Sequence, residues 1–320
     1  MNVEYKAANY ILYGTVHEDE ESDNIKNSIY ITGYSGSGGR VVIPDVIESA
    51  GNMYSVTGIG KKAFTGEKSL REISMPGSIR RLEDWAFAQC CNLNKVVFRV
   101  EEVVADRAKA SDFMNQLLLG SGVFDECSGM EFICIGSDEE NALSVMLGTI
   151  VNRMDAEYLL RSKEVGSDAW FQLWDQTLMS FLGRPDDDGY TDMVLCGEED
   201  LSINEESYIR DMRKRKCVLC ILRLAYSDKL SGDMRKNFTD YLVNHTKGAA
   251  TEEAWEVMLS EFGDHVDYYR LFAELGCINK ENIDDIIMDM GNQHAEAKAF
   301  VIEYKQEHFG EGNFFDQFTL

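Results

Sequence analysis

Over the first 138 residues the apolar positions fall in short bursts two residues apart: Ile73 and Met75, Val96 and Phe98, Ile133 and Ile135. A period of two puts such pairs on one face of a strand. The bursts belong to a larger recurrence. One segment runs from Ile59 through Ala63-Phe64, Glu67 and Leu70 to Ile73. A second runs from Leu82 through Ala86-Phe87, Cys90 and Leu93 to Val96. A third runs from Leu119 through Val123-Phe124, Cys127 and Met130 to Ile133. Phe64 and Phe87 are 23 residues apart and Phe87 and Phe124 are 37 apart, so 14 residues around Glu101–Met114 are inserted, with a helical pattern. No unit this small can bury its apolar face alone, so neighbouring units are expected to stack.

An isoleucine-proline strand, an Ile-Gly step, Ala-Phe, a cysteine three residues on and then a leucine is a pattern that resembles the BspA-like leucine-rich-repeat family. The lead-in Ile31-Thr-Gly-Tyr-Ser-Gly-Ser-Gly-Gly-Arg-Val-Val-Ile43-Pro44, followed by Val56-Thr-Gly-Ile59-Gly60, extends the likeness over about residues 28–136. Glu67 stands where the family has a cysteine, Glu83 where it has a glycine and Val123 where it has an alanine. The resemblance implies a short β-solenoid capped at one end by an N-terminal β-hairpin and at the other by helices. It also admits a cell-surface adhesin, a role attributed to many members of the family.

Alternation along the strands assigns Arg40, Val42, Glu72, Ser74, Lys95, Val97, Phe132 and Cys134 to the outward face. Val42, Val97, Phe132 and Cys134 make that face more apolar than a solvated surface needs. Two readings follow: the helical part of the chain packs there, or a partner docks there.

From Glu139 the period lengthens to about 3.6. Helices are expected over 141–163, with a break at Gly148, over 168–182 after a Ser167 cap, and over 205–226. Thr251, Asp264 and Asn279 read as caps of three further helices, and a last helix covers 292–308. Helices this closely spaced stack as hairpins. The stretch from Tyr269 to Lys305 resembles a helical module of uncharacterised bacterial proteins, which implies no activity. The fold class is therefore α+β: a repeat domain over 1–138 and an all-helical acidic domain over 139–320.

Charge narrows the partners. With 31 basic and 56 acidic side chains the net charge is −25. It divides as −7 over 1–138 and −18 over 139–320, while residues 51–100 carry +4. Such a surface repels phosphate backbones, so a protein partner is expected and nucleic acid is not. No run reaches the roughly 18 apolar residues of a membrane span. No leader is visible after Met1, so a cytoplasmic location is expected, or the cell surface if a leader was removed. The oligomeric state is not legible.

The candidate chemistry is thin. Gly33-Tyr-Ser-Gly-Ser-Gly-Gly-Arg40 lacks the Lys-Ser/Thr of a phosphate loop and reads as a hairpin turn. Asp186-Asp-Asp-Gly189 would put Arg184 and Leu195 at calcium-ligand positions, so a solvated turn is expected. Cys217 and Cys220 share one apolar helix face and read as core rather than metal ligands. The five histidines form no ligand pattern, and neither cofactor nor metal is expected. Arg210-Asp-Met-Arg213-Lys-Arg-Lys216 is the densest basic run; a nucleic-acid or localisation role is open to it, but internal pairing with Glu198, Glu199, Asp200 or their neighbours is expected. The composite expectation is a non-catalytic interaction module. Its rival is an enzyme with a site at the domain junction, drawing on those same acidic and basic groups.

Overall fold

The structure, a computed structural model, describes residues 2–17, 28–100, 108–136, 140–154, 156–195 and 204–310. It divides into two compact units, Met1–Leu178 and Met179–Leu320. The change of periodicity at residue 139 falls inside the first of these, which keeps the helices immediately after the repeats.

The first unit contains two sheets. Strands β1 (Asn2–Lys6), β2 (Tyr10–His17) and β3 (Ser28–Gly36) are antiparallel neighbours. Then come β4 (Arg40–Val42), β5 (Val46–Ser49), β6 (Asn52–Ile59), β7 (Glu72–Pro76), β8 (Arg81–Leu82) and β9 (Lys95–Arg99). After helix α1 (Ala108–Gln116) follow β10 (Leu118–Leu119) and β11 (Phe132–Ile135). One sheet has the order β1-β2-β3-β6-β8-β10, with β5 paired to β6, and the other is β11-β9-β7-β4. The hairpin turn expected at Gly33–Arg40 is absent. Strand β3 continues to Gly36, and β4 joins the other sheet, so this segment crosses between layers. The hairpin at the amino end is formed by β1 and β2 instead.

The recurrent Phe block makes a ladder of rings. Tyr34, Phe64, Phe87 and Phe124 lie with successive centroids 5.3, 5.2 and 5.6 Å apart, and the last two pairs are stacked. Main-chain bonds tie the turns together: Phe64 N–H donates to Ala86 O at 2.8 Å, and Phe87 N–H to Val123 O at 2.9 Å. The repeat cysteine has a definite task. Cys90 Sγ donates to Phe64 O at 3.0 Å, and Cys127 Sγ to Phe87 O at 3.1 Å. Burial pushes the Cys90 thiol up to about 11 and Cys127 to about 12. Because the thiolate is the reactive form, iodoacetamide at pH 8 is expected to label exposed Cys91 in the native chain and spare Cys90 and Cys127. Peptide mass mapping before and after denaturation checks this.

Each turn bends through two left-handed residues, Lys62 and Gly66, then Trp85 and Gln89, then Gly122 and Glu126. A left-handed residue with a side chain costs about 1–2 kcal/mol. The repetition of the same two positions marks a geometry that the turn demands, not one that glycine alone supplies.

Beyond the repeats, α2 (Ala142–Thr149) is capped by the Asn141 side chain, which accepts from Ser144 N–H, and it packs on β11. A π-helical turn, Ile150–Met154, and a 3-10 turn, Glu157–Leu159, lead to α3 (Asp168–Leu182). The Ser167 cap is made: its Oγ accepts from Trp170 N–H at 3.1 Å. The buried rings of Trp170 and Trp174 donate to Leu159 O and Met146 O.

The second unit holds α4 (Tyr190–Leu195), α5 (Glu205–Ala225), α6 (Gly232–Val243), α7 (Glu253–Val257), α8 (Val266–Glu274), α9 (Ile283–Asp289) and α10 (Ala295–Phe309). Helix α5 packs on α6, α7 and α8, and α10 on α8 and α9. Cys217 and Cys220 are fully buried on α5, as core. Thr251 and Asp264 do not cap: Glu252 and His265 hold the cap positions, without side-chain bonds, and α7 runs on as a π-helical turn, Met258–Phe262. Asn279 does bond forward, accepting from Glu281 N–H and Asn282 N–H.

Candidate interaction face

Parallel pairing without slippage puts the eight outward residues into two rows. Arg40, Glu72, Lys95 and Phe132 are register partners across β4, β7, β9 and β11. Val42, Ser74, Val97 and Cys134 form the second row. The alternation that assigned them to one face thus delivers them as a grid.

The grid is not uniformly open. Arg40 is exposed and Val42 is 42% exposed, whereas Glu72, Lys95 and Phe132 are half-buried. Ser74, Val97 and Cys134 are buried. On the β11 side α2 supplies the cover: a Cβ on Gly148 would stand 2.1 Å from Glu131 O and 2.9 Å from Phe132 N. The excess apolar character of this face is therefore in part the footing of a helix from the same unit. What stays accessible is Arg40 and Val42 on β4, with Glu72, Lys95 and Phe132 part-exposed on the strands beside them.

Ion pairs organise the accessible part. Arg40 Nε lies 3.1 Å from Glu72 Oε1, and Lys95 Nζ is 3.2 Å from Glu140 Oε1. Such exposed pairs contribute little to stability, of order 0–1 kcal/mol. Their effect is to hold charge in fixed places on the grid. Arg99, outside the eight outward residues, extends the face. It donates to Ser74 O and Oγ at 3.0 Å and to Ile43 O at 2.7 Å, and pairs with Asp45 at 3.1 Å. The signal was present, since Arg99 continues the alternation from Lys95 and Val97. The outer edge of β4 is occupied: the Tyr10 hydroxyl accepts from Val42 N–H at 3.1 Å and donates to Val42 O at 2.7 Å.

The second unit carries the basic run. Arg213 Nε and Lys216 Nζ each approach Asp186 at 2.7 Å, Lys216 also donates to Arg184 O, and Lys214 pairs with Glu256. The pairing is internal, but its anchor is Asp186, in the turn expected to be solvated. Glu198, Glu199 and Asp200 lie outside the described residues. Among the described residues no group of three or more His, Cys, Asp or Glu side chains is placed to hold a metal. No helix among them is long and apolar enough to cross a membrane.

The repeat sequence has a counterpart in a known family. Residues 47–141 match the family model for the BspA type leucine rich repeat region, in 6 copies. This segment is a BspA-type leucine-rich-repeat region. Solved structures similar to the chain include a leucine rich cell surface protein from Faecalibacterium prausnitzii, 21% identical, covering 42% of this chain and 32% of that one at a TM-score of 0.29. A leucine-rich repeat protein from Bacteroides capillosus is 19% identical over 40% of this chain and 78% of that one, at a TM-score of 0.30. The T. pallidum leucine rich repeat protein is 24% identical over 39% and 62%, at a TM-score of 0.26. The chain spans about a third of the length of the Faecalibacterium protein. No curated protein matches it. The BspA-type match begins at Ile47 and so leaves out β1 to β4, which the structure nonetheless joins to the repeats in both sheets.

Proposed function

We propose that this protein is a non-catalytic protein-interaction module, a short β-solenoid joined to stacked helical hairpins, that binds a protein partner through the accessible part of its repeat face. One observation carries the reading: Arg40, Glu72 and Lys95 stand in register on neighbouring parallel strands, beside an exposed Val42. An exposed apolar side chain set beside charges held in fixed places is a feature that recognition surfaces share. Residues on rigid elements also lose little conformational freedom on binding. The absence of a metal-ligating cluster among the described residues is compatible with this, as is the internal use of the Arg213–Lys216 run.

The test uses the full-length chain. Arg40→Glu combined with Val42→Asp changes charge and polarity at exposed positions, so the circular dichroism spectrum is expected to be unchanged. Quantitative affinity purification from the native host is expected to lose the specific partner at least tenfold. An unchanged set of captured proteins would remove the face from consideration and move binding to the acidic helices.

A further inference from the structure

The rungs of the repeat stack are linked by a directional ladder, and its last step is unfilled among the described residues. In the first turn Lys62, Phe64 and Gly66 donate N–H to Asp84, Ala86 and Ala88 of the next, at 3.2, 2.8 and 2.8 Å. In the second, Trp85, Phe87 and Gln89 donate to Ser121, Val123 and Asp125 at 3.0, 2.9 and 2.7 Å. The matching donors of the third turn are Gly122, Phe124 and Glu126, and among the described residues none of the three has an acceptor. Phe124 and Glu126 line a cavity of about 190 Å³, walled by Val123, Ile150, Val151 and Leu160. Asp125, Glu126 and Glu157 make its lining acidic, and the one basic group there, Arg161, is engaged by Gly120 O and Glu157.

We propose that this end of the stack receives a segment of a partner protein that supplies the missing fourth rung: an aromatic side chain in the cavity, with a basic residue beside it. Three features specify that occupant. The ring ladder ends on Phe124, and its regular spacing of 5.2 to 5.6 Å sets where a further ring continues it. The open donors at Phe124 and Glu126 are two residues apart, the spacing at which the second turn takes carbonyls from Val123 and Asp125. The acidic lining attracts a neighbouring lysine or arginine and repels an acidic segment. The cavity is smaller than the usual range for a small-molecule site, about 300–1,000 Å³, which suits one side chain on a main chain that stays outside. Main-chain pairing would then give affinity, and the aromatic would give specificity, as in other cases of strand and turn addition. This site is separate from the Arg40–Glu72 face, and its test leaves that reading untouched.

The probes are acetyl-Ala-Phe-Lys-amide and acetyl-Ala-Ala-Lys-amide, titrated into the full chain labelled with ¹⁵N. Saturable shifts of the Phe124 and Glu126 amides are expected with the first peptide, and at least tenfold weaker binding with the second. Val151→Phe fills the cavity from its opposite wall and is expected to abolish the shifts. Absence of saturable shifts at these amides, or equal binding of the two peptides, would overturn the proposal. The peptide comparison holds even where the variant folds poorly.

Discussion

Gly148→Ala is expected to destabilise the repeat unit by about 3 kcal/mol or more, measured as a fall in the urea midpoint with little change in slope. The added Cβ would meet the Glu131 carbonyl at 2.1 Å, a main-chain atom held by the last rung: Glu131 N–H itself donates to Asn94 O at 2.9 Å. Relief requires α2 to lift away from β11, and that lift uncovers the edge of the four-stranded sheet. Gly232→Ala is the control, because nothing lies within 4 Å of a Cβ there. A midpoint for Gly148→Ala equal to the control's would mean that α2 does not seat so closely.

The second large effect belongs to Asp186. Lys216 is 1% exposed, and with Asp186→Ala it keeps, among the described residues, only the Arg184 carbonyl as acceptor. Breaking a buried pair from one side costs roughly 3–5 kcal/mol, because the remaining charge stays desolvated. Lys216→Met in the same background removes that charge and is expected to recover much of the loss. Burial pushes the Asp186 carboxyl up, but the hydrogen bonds from Lys216 and Arg213 outweigh it and hold the group below the ordinary 3.8. A carboxyl that is more acidic in the folded chain contributes its full stability above the unfolded value. That contribution disappears as pH falls through the folded value. Wild type is therefore expected to lose stability more steeply than Asp186→Ala as pH drops below about 4, a difference measurable by urea unfolding across pH 2–6.

How far the sequence announces these features depends on the range of the interactions. The repeat was legible because Phe64, Phe87 and Phe124 are spaced by the rung itself, and the eight-residue face followed from a period of two. Tyr34, the first ring of the ladder, was not, since it lies in a glycine-rich stretch without an alanine before it. The left-handed residues Lys62, Trp85, Gln89 and Glu126 carry no glycine to give them away. Residue order alone does not say whether a helix or a partner covers the face of Val42, Val97, Phe132 and Cys134, because it does not fix that α2 lands on β11. The neighbours of Asp186, namely Asp187, Asp188 and Gly189, favour a wet turn. Its partners Arg213 and Lys216 are 27 and 30 residues away, and only the folded chain brings them within 2.7 Å.

A stack of similar rungs is also a template for its own lengthening, since any exposed strand invites another copy to zip onto it. At β4 that invitation is withdrawn by one phenol. By taking both main-chain groups of Val42, Tyr10 denies an incoming strand the pairing it would make there, so growth from this end has first to displace the ring.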